Sequence, residues 1–195
     1  MMGIRAALCV SIAVFCSLAF AEDVVWEGFE GKNNWVMVEW RNSGRGRMEI
    51  SKENPSEGAK SLKVRMNREK KTDREKVGIS REGYLNLSRS DSITMDIFCG
   101  SDDGLAVSIG FDAGDKGAYY ESVKKPLKMG WNKDIVFGLS GNNFKCEASD
   151  WKFEDPIPDR SSITKMHIVI YRPSNVISEE TVFIDNIRIK QRDPV

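Results

Sequence analysis

The sequence predicts an all-β protein folded as a two-sheet β-sandwich of the jelly-roll type. Apolar and polar residues alternate over short segments, and clusters of Gly, Asn, Asp and Ser separate one segment from the next. No stretch shows the apolar spacing of a helix over a useful length. About ten strands at this spacing favour a two-sheet jelly roll over a small barrel.

The predicted strands are distributed over residues 24–189. Each is a short alternating or β-branched run bounded by turn residues, the pattern of a strand with one buried face. In chain order, the predicted strands are 24–29, 35–41, 47–51, 61–66, 76–80, 92–99, 106–112, 118–123, 132–139, 165–171 and 182–189. The Gly and Asn residues between the second and third of them predict a hairpin turn.

The same alternation predicts which side chains fill the space between the sheets. Successive residues of a strand point to opposite faces, so every second apolar residue lies on one face. The predicted core consists of Leu62, Val64, Met66, Ile93, Met95, Ile97, Val107, Ile109, Phe111, Met166, Ile168 and Ile170. The opposite faces of these strands are predicted to be polar, hydrogen-bonding surfaces.

The first residues are predicted to be a signal peptide. Arg5 precedes an apolar run over residues 6–20, and Ala-Phe-Ala at 19–21 is a small-residue cleavage site. We therefore expect a signal peptide at 1–21 and one β-sandwich domain at 22–195. The domain is expected to be secreted, to the extracellular space or the periplasm, without a membrane span in its mature form.

Charge argues against nucleic acid as a partner. Lys and Arg number 29 and Asp and Glu number 29, so the chain is close to neutral and offers no basic footprint for a polyanion such as DNA. The mature domain keeps two cysteines, Cys99 and Cys146. In an oxidising compartment they are expected to form a disulfide, with two small buried thiols as the alternative.

The last predicted strand carries a carboxylate, Asp185, where a core residue is expected. Strands rarely bury an acid without a partner. The natural partners lie at the other end of the domain, in the segment 26–30 with sequence WEGFE. We therefore expect the two ends of the domain to meet around a cation or a cluster of hydrogen bonds, which would close the sandwich.

Four segments together resemble the jelly-roll carbohydrate-binding modules of the galactose-binding-like superfamily. Such modules are appended to bacterial polysaccharide-degrading enzymes or secreted alongside them. The resemblance covers nearly the whole mature chain and depends on the order and spacing of GFE at 28–30, SEGAKSLKV at 56–64, GWN at 130–132 and FIDNI at 183–187.

The resemblance implies a structural calcium ion that ties the first strand to the last. Glu30 and Asp185 match the side-chain ligands, and Gly28, Glu57 and Lys60 match positions that offer main-chain oxygens. A hard cation prefers such a set of oxygens. The alternative is that Asp185 caps backbone amides, or meets Lys60, without a metal.

The resemblance also implies a sugar-binding groove on the concave sheet. A pyranose ring presents an apolar C–H face to an aromatic platform, and neighbouring polar groups orient its hydroxyls. The candidate platforms are Trp40, Tyr119 or Tyr120, and Tyr171, and the candidate hydroxyl partners are Arg65, Asp96, Asp112, His167 and Arg172. This predicts a secreted, non-catalytic module for polysaccharide or oligosaccharide, with a separate carbohydrate-active enzyme as a further candidate partner.

Two other functions stay open. A protein-binding or adhesion scaffold is one, because Ala106, Ser108 and Gly110 leave part of one sheet face bare of platforms. An enzyme is the other and is not favoured. A lyase would pair His167 with Tyr171, but four residues along a strand separate side chains by roughly 13 Å. A hydrolase would need two facing carboxylates, such as those of Asp96 and Asp112.

Overall fold

The computed structural model describes residues 23–40, 45–67, 76–154, 157–173 and 178–192. Over these ranges the chain is all-β, with thirteen strands and one short 3₁₀ turn, and its two antiparallel sheets form the predicted sandwich. The predicted signal peptide at 1–21 lies outside the described residues. Among the helical segments of the described ranges, none has the length and apolar character needed to cross a bilayer.

Most of the observed strands correspond to the alternating segments of the sequence. They are β1 (Asp23–Glu27), β2 (Val36–Val38), β3 (Gly46–Ser51), β4 (Ser61–Met66), β5 (Lys76–Leu85), β6 (Ser90–Cys99), β7 (Ala106–Ala113), β8 (Ala118–Ser122), β9 (Lys125–Pro126), β10 (Gly130–Gly138), β11 (Phe144–Lys145), β12 (Ile163–Tyr171) and β13 (Glu180–Gln191), and the 3₁₀ turn is Glu147–Ser149. The sequence missed β9 and β11, because two residues show no periodicity.

The strands form two sheets. In the six-stranded sheet the order is β10-β6-β13-β4-β3, with β1 also paired to β13. In the seven-stranded sheet the order is β11-β8-β7-β12-β5-β2, with β9 also paired to β7. All pairs are antiparallel. Side chains alternate between the two faces along each strand, as the core prediction requires, except where a bulge shifts the register, as between Val25 and Glu27.

The first and last strands are neighbours, as expected. Val25 lies opposite Arg188, and Glu27 lies opposite Ile187. Asp185 is completely buried in the last strand. The prediction that the two ends of the domain meet is therefore confirmed, but the hydrogen-bond partners of Asp185 belong to Ser56, Glu57 and Asn186 rather than to the segment 26–30.

The inter-sheet core is the predicted one. All twelve predicted core residues, from Leu62 to Ile170, are buried. Full burial of each such side chain contributes about 1.5–3 kcal/mol, so this set is the main driving force for folding.

The outer faces differ from the prediction of open polar surfaces. Lys63 and Ser61 are buried on the six-stranded sheet, and Ser108 and His167 are buried on the seven-stranded sheet. The reason is that aromatic rings and loops lie over both faces, as described below.

The predicted disulfide is absent. Cys99 and Cys146 are both free and buried. Cys99 ends β6 and donates its thiol hydrogen to the carbonyl of Ser101, whereas Cys146 follows β11 of the other sheet and lies beside the hydroxyl of Ser149. The two thiols pack as small apolar side chains, which was the alternative interpretation.

Candidate functional site

The outer face of the seven-stranded sheet, the face that points away from the core, brings most of the candidate residues together. On β12, His167 and Tyr171 alternate with core residues and therefore lie on this face. His167 lies between Ser80 of β5 and Gly110 of β7. Tyr171 lies opposite Lys76 in the register of β12 with β5.

Two glycines in the middle strands make room for large rings. A Cβ atom on Gly78 would overlap the ring of Trp40, and a Cβ atom on Gly110 would lie 2.7 Å from Cε2 of Tyr119. Both rings therefore lie directly on the backbone of the sheet. The sequence interpretation of Gly110 as part of a bare surface was wrong, because the absence of a side chain there is what admits the ring of Tyr119.

Three rings form a continuous surface, which we call the aromatic strip: Trp40, Tyr119 and Trp151. The ring centroids of Trp40 and Tyr119 are 6.2 Å apart, and those of Tyr119 and Trp151 are 6.4 Å apart. These separations are typical of packed aromatic pairs. Trp151 is about half exposed, and a pocket of about 370 Å³ opens beside it, lined also by Glu147.

A buried carboxylate, Glu121, anchors the tyrosines of this face. It is 2% exposed, accepts a hydrogen bond of 2.6 Å from the hydroxyl of Tyr171 and one of 3.3 Å from the hydroxyl of Tyr119, and lies 3.2 Å from Nζ of Lys145. Burial raises the pKa of both tyrosines, and the charge of Glu121 raises it further. Both hydroxyls therefore stay protonated and remain hydrogen-bond donors.

His167 is held beneath the strip. Its ring lies 5.9 Å from that of Trp40 and 5.2 Å from that of Tyr119, between centroids. Its Nε2 lies 3.1 Å from Oδ1 of Asp112. Because His167 is only 5% exposed, it supports the rings rather than presenting a group to solvent.

Other candidate residues lie elsewhere. Tyr120 points to the core side of β8 and is 8% exposed, so Tyr119 is the tyrosine of the outer face. Arg172 is buried and donates to the carbonyls of Asn67 and Ser178. It therefore holds loops together, and its candidacy as a hydroxyl partner on this face was wrong.

Arg65 and Asp96 belong to the six-stranded sheet. Arg65 lies on β4, 3.9 Å from a carboxylate oxygen of Glu179. Asp96 lies on β6, is buried, and accepts hydrogen bonds from the Ser56 hydroxyl and from the Asn186 amide. Asp96 and Asp112 therefore do not face each other, and the hydrolase arrangement that would have paired them is wrong.

The site residues that sequence reasoning missed are Glu121, Lys145 and Trp151. Glu121 could have been found, because it is two residues from Tyr119 and alternation places both on one face. Trp151 was not among the candidate platforms. It follows a 3₁₀ turn in a positive-φ conformation, which no periodic pattern indicates.

A second cluster of hydrogen bonds ties the last strand to the loop before β4. Asp185 accepts from the backbone amides of Ser56, Glu57 and Asn186, at 2.7, 3.0 and 2.7 Å. Burial raises the pKa of Asp185, and these amide hydrogen bonds act against that rise. This is the backbone-capping arrangement that the sequence offered as the alternative to a metal ligand.

Of the predicted calcium ligands, the carboxylates of Glu30 and Asp185 are already engaged by backbone amides. Glu30 accepts from the amides of Ala59 and Lys60 through its carboxylate, and its main-chain carbonyl accepts from the Lys60 ammonium at 2.8 Å. In the part of the chain that the structure describes, no group of three or more His, Cys, Asp and Glu residues is arranged to hold a metal. The predicted site combines two carboxylates with main-chain oxygens, so calcium stays a prediction.

No protein-family model and no curated protein matches this chain. Solved structures share its fold. A family 11 carbohydrate-binding module of a cellulosomal cellulase of Clostridium thermocellum is 14% identical, with a TM-score of 0.62, over 89% of this chain and 97% of that chain. A family 28 module specific for non-crystalline cellulose is 14% identical, with a TM-score of 0.55, over 86% of this chain and 92% of that chain.

The fold also occurs inside larger enzymes. An agarase is 11% identical, with a TM-score of 0.59, and the match covers 89% of this chain but only 25% of the agarase. At these identities the likeness concerns the fold alone. The chain is a jelly roll with the architecture of carbohydrate-binding modules.

Proposed function

We propose that this protein is a secreted, non-catalytic carbohydrate-binding module that binds polysaccharide or oligosaccharide along the aromatic strip. The observation that carries the proposal is the continuous surface of Trp40, Tyr119 and Trp151 on one sheet face, bordered by polar groups. Aromatic faces match the C–H faces of sugar rings, and the bordering groups can orient hydroxyls. The shared fold adds support, since the family 11 module has been solved with a β-1,3-1,4-mixed-linked tetrasaccharide.

The strip is held in place before any ligand arrives. Gly78 and Gly110 seat two of its rings against the backbone, and Glu121 fixes the hydroxyl of Tyr119. A preorganised surface loses little side-chain freedom on binding, so more of its contact energy appears as affinity. A long glycan would lie across successive rings and gain a stacking contact at each.

The chemistry of the face supports binding rather than turnover. His167 is buried with Nε2 at Asp112, so it cannot reach a substrate proton without displacing the rings above it. Glu121 is buried, and its oxygens are engaged by two tyrosines and Lys145. A lyase would use Tyr171 together with His167. The hydroxyl of Tyr171 instead donates a hydrogen bond to Glu121, so it is not available for that role.

Removing or displacing Trp40 tests the proposal. We expect the wild-type protein to be retained on at least one polysaccharide in a panel of soluble and insoluble glycans, measured by affinity electrophoresis and pull-down. Trp40→Ala should weaken this binding by about tenfold, or 1.4 kcal/mol. Gly78→Val should weaken this binding to a similar extent. The valine side chain would occupy the space of the Trp40 ring and displace it, although Trp40 itself is unchanged.

The matched control for these variants is Trp131→Ala. Trp131 is partly exposed on β10, in the other sheet, where it packs against Phe98. We expect it to leave binding unchanged. Retention that is lost equally in Trp131→Ala and Trp40→Ala would contradict the assigned face. No retention of the wild-type protein on any glycan would instead favour the protein-binding scaffold.

A structural calcium ion remains part of the proposal, supported by the clustering of Glu30, Lys60 and Asp185 where the ends of the domain meet. Binding by the Glu30 carboxylate would require it to release the backbone amides of Ala59 and Lys60. A ligand that binds only the folded state raises the melting midpoint. We expect a higher midpoint in calcium than in EGTA by differential scanning calorimetry. The same midpoint in both would contradict a structural calcium ion. The Lys60 ammonium would then be the cation at the Glu30 carbonyl.

A further inference from the structure

Three lysines border the aromatic rings on the outer face of the seven-stranded sheet. Nζ of Lys76 lies 5.0 Å from the ring centroid of Trp40 and 6.0 Å from that of Tyr171. Nζ of Lys124 lies 3.7 Å from the ring centroid of Tyr171. Nζ of Lys145 lies 5.8 Å from the ring centroid of Trp151. Positive charge therefore borders the aromatic strip at both of its ends.

The carboxylates of this face do not balance that charge. Lys145 has Glu121 at 3.2 Å, which accounts for one ammonium. Over the ranges that the structure describes, neither Lys76 nor Lys124 has a carboxylate oxygen within 4 Å. Asp112, on the same face, is already engaged by His167 and lies 3.9 Å from Lys165. Two ammonium groups thus lack an acidic partner in these ranges.

Lys76 lies where an anion would be bound most strongly. Its side chain is partly buried beside the rings of Trp40 and Tyr171, and burial lowers the pKa of its ammonium. Glu121 acts against that decrease, and the charges of Lys145 and Lys124 add to it. An ammonium that is partly desolvated and repelled by its neighbours gains more from an added anion than one in open water.

We infer that the ligand of the aromatic strip is an acidic polysaccharide whose carboxylate or sulfate groups pair with Lys76 and Lys124. This inference rests on the proposed function and names its ligand class. A sugar ring stacked on Trp40 would have its substituents beside the Lys76 ammonium, so one residue of the glycan can use both contacts. Charge-assisted hydrogen bonds from ammonium to carboxylate or sulfate are stronger than those to neutral hydroxyls.

The test compares acidic and neutral glycans by isothermal titration calorimetry at low and high NaCl. Oligogalacturonate supplies carboxylates, carrageenan oligosaccharides supply sulfates, and agarose oligosaccharides and mixed-linkage β-glucan are neutral. We expect at least one acidic glycan to bind roughly tenfold more tightly than either neutral one, and its affinity to fall as salt rises. Which acidic glycan binds distinguishes a uronate from a sulfated ligand.

The double variant Lys76→Gln/Lys124→Gln locates the charge effect. We expect it to bind the acidic glycan roughly tenfold more weakly and to lose most of the salt dependence of that binding. The matched control is Lys133→Gln, since Nζ of Lys133 lies 5.7 Å from the ring centroid of Trp131 on the opposite sheet. This control should bind like the wild type.

The possible outcomes distinguish the acidic-ligand inference from the proposed carbohydrate-binding function. Equal or tighter binding of neutral glycans, lost in Trp40→Ala, would overturn the acidic ligand and keep the carbohydrate-binding module. Acidic-glycan binding that the double variant does not weaken would overturn the role of Lys76 and Lys124. Absence of binding to every acidic and neutral glycan would overturn the inference and the proposed function together.

Discussion

Replacing Asp185 with Ala will lower the free energy of unfolding by about 3–5 kcal/mol. The Asp185 side chain is completely buried and accepts hydrogen bonds from the backbone amides of Ser56, Glu57 and Asn186. Two of these amides belong to the loop before β4, so one carboxylate ties that loop to the last strand. Alanine would leave all three donors without this acceptor, and urea denaturation measures the loss.

Two further variants show whether the hydrogen bonds are the cause. Asp185→Asn keeps one oxygen that can accept, so we expect a loss smaller than that of the alanine variant. Asp103→Ala is the control, because Asp103 is exposed on a loop. Its effect should stay within about 0.5 kcal/mol. If Asp185→Ala were as stable as Asp103→Ala, the carboxylate would not tie the loop before β4 to the last strand in solution.

Replacing Glu121 with Ala will have the second-largest effect, a loss of about 2–4 kcal/mol in the free energy of unfolding. The substitution leaves the hydroxyls of Tyr119 and Tyr171 without their acceptor and leaves the Lys145 ammonium without its carboxylate. Because these groups also position the aromatic strip, glycan affinity should fall in the same variant under conditions where it remains folded.

The control for Glu121→Ala is the same substitution at an exposed acid, Glu147. Glu147 lines the pocket beside Trp151 and is open to solvent, so Glu147→Ala should leave urea stability nearly unchanged. Glu121→Gln removes the charge but keeps an acceptor oxygen, and we expect an intermediate loss. A Glu121→Ala protein with wild-type stability would show that the buried carboxylate does not anchor the tyrosines.

The sequence was sufficient to predict the fold class and the core residues, because side chains in a strand alternate between two faces with a period of two residues. Ile109 and Phe111, or Ile168 and Ile170, must share a face wherever their strands pair. An acid at Asp185, inside such a pattern, was equally informative, since its burial required partners. Neither inference needed knowledge of which strands are neighbours.

The site depends on that knowledge and was therefore predicted only in part. Asp96 and Asp112 lie on strands of similar pattern, and only the pairing of β6 with β13 and of β7 with β12 assigns them to different sheets. Tyr119 and Tyr120 could not be distinguished until β8 was paired with β7. The ring of Trp40 reaches the sheet from a loop, where alternation does not apply.

The most direct test of the carbohydrate-binding face is an NMR titration of the five tryptophan indole N–H signals with the tightest-binding oligosaccharide. Trp40 and Trp151 lie on the aromatic strip. Trp26 and Trp35 pack against each other, and Trp131 lies on the other sheet. The account predicts saturable shifts of Trp40 and Trp151 with the other three signals unmoved. Saturable shifts confined to Trp26, Trp35 or Trp131 would place the ligand elsewhere and contradict it.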